Sequence, residues 1–265
     1  QPIAEIVEEA RQIAAAGQRE IVLTGVNTGD FGRTTGERFI DLLRALDRVE
    51  GIDRYRISSI EPNLLTDEII AFCAASRKFQ HHFHIPLQSG SNRILGLMRR
   101  RYTAERFAAR VEAVRRAMPD AFIGIDVIVG FPGEGEAEFG ETYALLKRLA
   151  PAFLHVFPFS ERPGTPAVEL PGKVQPSVAT RRVAELEALC ERLHGAFCAA
   201  GTGTEAEVLF ESTRRAGMMF GFTGNYRRVK APYDAARVNT ICRVRLGAMD
   251  AAHDLEGEIV GPEAE

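Results

Sequence analysis

Several features that would place a chain in a familiar class are missing from these 265 residues. No run of about 18 consecutive apolar residues occurs, which excludes a helix of membrane-spanning type. The opening, Gln1-Pro2-Ile3-Ala4-Glu5, has neither the basic region nor the apolar stretch of a secretory signal. A cytoplasmic protein with no membrane partner is therefore expected. Cysteine is scarce: Cys73, Cys190, Cys198 and Cys242 are too few and too far apart for a disulfide framework. None of their spacings suits a zinc ribbon or a cluster motif, so all four read as buried thiols and no metal ligand is assigned. An excess of positive charge is missing as well. With 33 Lys and Arg against 36 Asp and Glu, a net charge of -3 excludes a uniformly basic nucleic-acid coat and leaves only a local basic face open.

Apolar residues, at 45%, are numerous enough for one large core plus a small appendage. The chain begins without Met and directly in a helical pattern, with Ile3, Ile6 and Val7 apolar and Glu5, Glu8 and Glu9 polar. That reads as a cut made inside a longer protein. Short apolar runs then alternate with amphipathic stretches over residues 1–200, the pattern of βαβ units and a parallel sheet. Strands are expected at 20–24, 55–60, 82–87, 122–129 and 153–157, with helices at 37–49, 65–75, 92–98, 103–117 and 135–149. Thr66 and Thr103 stand where N-caps belong, and Pro119 stops the helix before the fourth strand. Residues 161–173 read as a loop, and 176–199 as a helix in which Val183, Leu186, Leu189, Leu193 and Phe197 recur at spacings of three and four. After Gly201-Thr202-Gly203 the texture changes to short alternating runs near 205–210, 218–222, 227–230, 239–246 and 255–260, which predict a small antiparallel barrel.

Each of the five early strands ends in residues that punctuate or bind. In parallel α/β folds ligands gather at the carboxyl ends of strands, so one pocket built from five ends is expected. The most specific stretch runs from His84 to Asn92 (HIPLQSGSN), with Met98-Arg99-Arg100-Arg101-Tyr102 after it. Its hydroxyls and amides suit a polar ligand, or form an ordinary polar turn with Ser91 as helix N-cap. A second stretch, Gly124 to Glu134 (GIDVIVGFPGE), sets Asp126 in an apolar strand, where a carboxylate is costly without a polar partner. Arg100, His84 or the ligand itself are the candidates. The third, around Gly25-Val26-Asn27, lacks the Lys of a phosphate-binding P-loop and the spacing of a dinucleotide fingerprint. Of His81, His82 and His84 only the last two share a strand face, too few for a metal site.

Taken together, Glu20 to Asn27 (EIVLTGVN), Arg56 to Pro62 (RISSIEP), HIPLQSGSN, DVIVGFPGE and His155 to Ser160 (HVFPFS) resemble the radical-SAM methylthiotransferases, most closely the branch that modifies threonylcarbamoyladenosine in tRNA. The resemblance covers essentially the whole chain. It implies an open, TIM-like (βα) barrel over 1–200, truncated at its N-terminus, followed at 204–262 by a TRAM-like β-barrel that holds RNA. It implies S-adenosyl-L-methionine (SAM) and two [4Fe–4S] clusters in the full-length protein, with the CxxxCxxC triplet and the second cluster's ligands absent here. In such enzymes one SAM yields a radical, another the methyl, and the auxiliary cluster delivers sulfur. By position, Gly25 and Asn27 would lie near the methionyl amine with Ser59 and Glu61 beside it. Gln88 and Ser89 would sit at ribose or carboxylate, Arg100 at the carboxylate, Asp126 and Gly130 near adenine, and Phe157 on its ring. No residue is assigned to catalysis.

Residues 204–248 carry eight basic side chains against four acidic ones. Arg214, Arg215, Arg227, Arg228, Lys230 and Arg243, beside Phe220, Phe222 and Tyr226, suit phosphate contact and base stacking, or form a solvated barrel face. The implied partner is a tRNA anticodon stem-loop, bound by a monomer; the sulfur and electron donors are not readable. Relatives acting on isopentenyladenosine or on a ribosomal protein are the alternative within the family, and two other classes stay open: an RNA-binding module without catalysis, and a SAM-independent barrel enzyme using Asp126 or Glu61 as acid or base.

Overall fold

The computed structural model describes residues 1–25 and 27–261; Val26 of the Gly25-Val26-Asn27 stretch and residue 262, the expected end of the small barrel, lie outside the described residues. The first part runs α1 (Ile3–Ala15), β1 (Glu20–Leu23), α2 (Phe39–Asp47), β2 (Arg54–Ile57), α3 (Asp67–Ala75), β3 (His82–His84), α4 (Asn92–Leu97), α5 (Ala104–Ala117), β4 (Phe122–Val129), α6 (Glu136–Leu149), β5 (Phe153–Pro158) and α7 (Pro176–Ala199). β1 pairs in parallel with β2, and β3 with β4 and β4 with β5. Parallel bridges Tyr55–Phe79 and Ser59–His84 link β2 to the β3 edge, so five strands follow one another in chain order.

Thr66 and Thr103 cap α3 and α5, accepting from the amides of Ile69 and Arg106 at 3.3 Å each. Ser91 stands at the N-cap of α4 without a side-chain capping bond; its amide donates instead to Ser89 Oγ at 3.2 Å. β3 is shorter than expected because Pro86 has no N–H to continue the ladder. The chain nevertheless follows β4, with Ile85 N and Leu87 N donating to the carbonyls of Gly124 and Asp126.

Alternation along the strands separates two chemistries. Ile21, Leu23, Tyr55, Ile57, Phe83, Ile123, Ile125, Val127 and Leu154 face the helices and join one core with Leu43 and Leu46 of α2, Phe107 and Val111 of α5 and Leu186 of α7. Removing one such side chain from water contributes about 1.5–3 kcal/mol. The opposite, concave face carries Glu20, Arg54, Arg56, His82, His84, Asp126 and His155. Polar side chains on the inner face of a parallel sheet need partners, and two pairs form there: Glu20 takes Arg56 and His84 takes Asp126.

Strands β6 (Glu205–Arg215), β7 (Met218–Thr223), β8 (Arg228–Pro232), β9 (Ile241–Met249) and β10 (Leu255–Ile259) close a second barrel in the order β10-β8-β7-β6-β9. Four seams are antiparallel and the closing one, β8 with β10, is parallel. Val208, Phe210, Met219, Val229, Val244, Leu246 and Leu255 fill it.

This barrel sits at the amino ends of β1–β5. Arg54, 2% exposed, donates to the carbonyls of Phe222 and Glu207 at 2.9 and 2.8 Å. Arg56, 1% exposed, donates to those of Gly224 and Thr223 at 2.8 and 2.9 Å and to Glu20 Oε1 at 2.9 Å. Buried guanidinium is tolerated here because its fork of donors meets fixed acceptors. Asn225 Nδ2 to the Asp120 carbonyl (3.0 Å) and Asn239 Nδ2 to that of Gly17 (2.8 Å) extend the joint. Among the described residues no helix is long and apolar enough to cross a membrane.

Candidate functional site

The carboxyl ends of neighbouring strands are tied to one another. A 3₁₀ turn at Thr28–Asp30 follows β1, and Thr28 N and Oγ1 both donate to the Ser59 carbonyl, at 3.0 and 2.8 Å. Asn27 Oδ1 accepts from Glu61 N at 3.3 Å, while its Nδ2 donates to Asp30 at 3.1 Å. Gly25, Asn27, Ser59 and Glu61 therefore stand on one rim. Arg100, brought over by the turn after α4, donates through Nη1 to Glu61 Oε1 at 3.3 Å, with both side chains partly exposed. A carboxylate and a guanidinium placed side by side offer counter-charges for the ammonium and carboxylate of an amino-acid moiety.

The HIPLQSGSN segment is held from three sides. Tyr102 donates its hydroxyl to the carbonyls of Pro86 and Leu87 at 3.0 and 3.3 Å, and burial pushes that hydroxyl up to about 12. Gln88 stands at φ 69°, left-handed backbone that costs a non-glycine residue about 1–3 kcal/mol. Its amide donates to the Asp126 carbonyl at 2.8 Å and its carbonyl accepts from Ile128 at 2.9 Å. Gly90 passes so close to α6 that a Cβ would lie 2.5 Å from Thr142 Cα, so only glycine fits. Ser89 is fully buried, its hydroxyl 3.4 Å from Thr142 Oγ1 and accepting from Ser91 N. In this arrangement the Ser89 side chain braces the loop against α6 and presents no surface.

Gly130, at φ 78°, ends β4 with its amide on Glu134 Oε1 at 2.8 Å. Glu134 is buried, which pushes its carboxyl above the ordinary carboxylate value against the opposing pull of the Gly130 amide and Arg182. Arg182 of α7, 2% exposed and 2.7 Å from Glu134 Oε1, completes the brace; the sequence reading gave neither residue a role. Phe157, opposite Ile128 on β5, is 50% exposed at the mouth.

Asp126 finds its partner in His84, whose Nε2 lies 2.7 Å from Oδ1; Arg100 is engaged with Glu61 instead. The His155 ring stacks on His84 at 4.9 Å and 12°. Donor atoms of His84, Asp126 and His155 lie within 4.8 Å of one another. One ion with bonds of about 2.1 Å would draw such atoms to about 3.4 Å, so as they stand the three form a hydrogen-bonded pair with a stacked ring. Lone histidines in strands look like packing residues, which is why His155, though part of the HVFPFS stretch, takes no site role from the sequence.

Of the basic residues singled out, Arg214 and Arg215 are exposed, the former against the Tyr233 ring at 4.5 Å. Arg228 lies 3.5 Å from Asp254 and 4.5 Å from the Phe220 ring centre. Lys230 pairs with Asp250 at 2.6 Å and Arg243 with Glu205 at 2.6 Å. Arg227 is different. It is buried, its Nε donates to the Phe197 carbonyl at 3.0 Å, and its guanidinium lies over the Phe197 ring, so it joins the two barrels and is turned away from solvent.

The cysteines do not suit a cluster. Cys73, Cys190, Cys198 and Cys242 lie buried on α3, α7 and β9, and burial pushes the thiols of Cys73 and Cys198 up to about 12 and about 11, away from the thiolate that iron requires.

Known proteins resemble the chain in sequence and in fold. The chain is 42% identical over 248 residues to the threonylcarbamoyladenosine tRNA methylthiotransferase MtaB of Bacillus subtilis, covering 91% of this chain and 55% of that protein. It is 44% identical over 207 residues to the tRNA-2-methylthio-N(6)-dimethylallyladenosine synthase of Thermobifida fusca, covering 77% and 42%. The chain thus spans about half the length of these curated relatives. In fold it is similar to the radical SAM enzyme coproporphyrinogen III oxidase (HemN) of Escherichia coli, with a TM-score of 0.52 at 14% identity over 92% of this chain and 60% of that one. The radical SAM superfamily profile matches residues 1–146. With the parallel strands and their polar carboxyl ends in place, the chain belongs to the radical SAM superfamily, whose members use SAM and a [4Fe–4S] cluster.

Proposed function

We propose that this chain is the SAM- and RNA-holding part of a tRNA methylthiotransferase that adds a methylthio group to C2 of N6-threonylcarbamoyladenosine beside the anticodon. The observation that carries the reading is 42% identity over 91% of the chain to a relative named for that reaction. Residues 1–200 are assigned to the truncated (βα) barrel and 204–262 to a TRAM-like RNA-binding barrel. When bound, SAM supplies the radical that activates the adenine C–H bond and the methyl group. Within this chain, Glu61 and Arg100 orient its amino-acid end, with Gly25, Asn27 and Ser59 on the same rim. Gln88 lends its side chain at the ribose, and Asp126, Gly130 and Phe157 bound the adenine.

Because the cysteines here do not suit iron, the ligands of both [4Fe–4S] clusters are assigned to residues outside these 265. Arg214, Arg215, Arg228, Lys230 and Arg243 are assigned to phosphate contact with the anticodon stem-loop, by a cytoplasmic monomer. The dimethylallyladenosine branch is the second reading, favoured by 44% identity over 207 residues. Expression of the whole protein with iron and sulfide, followed by mass spectrometry of tRNA nucleosides, decides between them. Methylthiolated threonylcarbamoyladenosine is expected; if that nucleoside stays unchanged, the proposal fails.

A further inference from the structure

Below the strand-end rim, the concave face of β3–β5 holds a second hollow of about 400 Å³, closed from beneath by the small barrel. Its walls are aromatic: the His82 ring stacks on Phe122 at 5.0 Å and 14°, and Tyr226 on Phe222 at 4.6 Å and 14°. Its polar groups are the imidazoles of His82, His84 and His155 on the strands and of His194 and His253 nearby, the Tyr226 hydroxyl, and the Asp254 carboxylate 3.5 Å from Arg228. His82 Nδ1 is buried with no hydrogen-bond partner. At the rim stands the Arg228 guanidinium. The strand-end assignments leave all of this without a role.

We propose that this hollow receives the N6 substituent of the target adenosine and selects a polar, hydrogen-bonding one, the threonylcarbamoyl group, over an apolar dimethylallyl group. The inference rests on the reading above, that the chain handles a modified adenosine. The rings of His82 and Phe122 meet Tyr226 at 4.7 and 5.5 Å, so the two stacks form one continuous aromatic wall. The imidazole wall ends at His84, four residues before Gln88 at the strand-end rim, roughly 13 Å along the strand, a span that an adenine with an extended N6 arm covers. The ureido, hydroxyl and carboxylate groups of threonylcarbamoyl bring donors and acceptors to the imidazoles and an anion to Arg228. A dimethylallyl group brings neither, and would displace water from nitrogens it leaves unpaired. Sites built to hydrogen-bond a group reject the analogue without it far more strongly than apolar pockets discriminate by size.

The test is binding of the 265-residue chain to three dye-labelled anticodon stem-loops that differ only in the adenosine beside the anticodon: unmodified, threonylcarbamoyl or dimethylallyl. Fluorescence anisotropy is expected to rank threonylcarbamoyl at least about tenfold tighter than dimethylallyl. His155→Phe, which keeps a ring and removes the nitrogens, is expected to bring that ratio close to one. Glu112→Gln, on the far surface of α5, is the control and keeps the ratio. Circular dichroism confirms that both variants fold. If all three stem-loops bind equally, or dimethylallyl binds tighter, the inference is overturned while tRNA binding stands. If none binds, the proposed function falls with it. The comparison of three RNAs on the unaltered chain decides the matter even if His155→Phe does not fold.

Discussion

His84 Nε2 lies 2.7 Å from Asp126 Oδ1, joining adjacent strands across 42 residues of sequence at the centre of the concave face. Side-chain exposures of 25% and 20% leave the pair partly screened. Asp126→Ala is expected to cost about 1–2 kcal/mol, toward the lower end for a hydrogen bond to a charged group, and Asp126→Asn less than about 1 kcal/mol. Urea unfolding of the two variants checks this; no loss in Asp126→Ala would show that the bond contributes nothing.

The Arg56 guanidinium satisfies Glu20 and two carbonyls of the small barrel from a fully buried position. Arg56→Met leaves those acceptors without it, and a loss of about 3–5 kcal/mol is expected. Arg243→Met, at a side chain 71% exposed, should stay within about 0.5 kcal/mol. Denaturation midpoints and limited proteolysis near residue 203 report both. Similar behaviour of the two variants would rule out the joint as a source of stability.

Acidification should weaken the fold through His82. Burial, reinforced by the nearby charges of Arg56 and His84, holds its imidazole down at about 3 from an ordinary 6.5. Between those values the unfolded chain binds a proton that the folded chain refuses. The contribution is therefore complete above about 6.5 and is lost as pH falls toward about 3, by about 1.4 kcal/mol per pH unit. His155 and His194, also lowered by burial, act in the same direction. The urea midpoint of His82→Phe should fall less steeply with pH than that of the parent; parallel curves would contradict the assignment.

SAM contact by this chain alone should be weak, on the order of 1 mM or about -4 kcal/mol, because it rests on Asn27, Glu61, Arg100 and Gln88 without iron chelation. Titration calorimetry giving micromolar affinity would refute that. Arg100→Ala should abolish the residual heat.

Much of the architecture was legible because two periods are written plainly in the chain. The β4 run FIGIDVIV and the spacing of Val183, Leu186, Leu189 and Leu193 are carried by β4 and α7, and Thr66 and Thr103 cap as expected. That Asp126 needs a polar partner also followed from its surroundings. That the partner is His84, and that His155 stacks on it, depends on the parallel register of three strands, which no local pattern encodes. Arg54, Arg56 and Arg227 resemble surface residues in sequence; only the docking of the second barrel buries them. Gln88 stands in a left-handed conformation that its residue type gives no reason to expect.

The buried grip of Arg54 and Arg56 on four backbone carbonyls of the small barrel pins that barrel to the first in this structure. The reach from the exposed Arg214–Arg215 hairpin to the Glu61–Arg100 rim is then a fixed length. On the proposed RNA-binding role, a polymer seated on that hairpin would present to the rim only the unit lying one such length along its backbone.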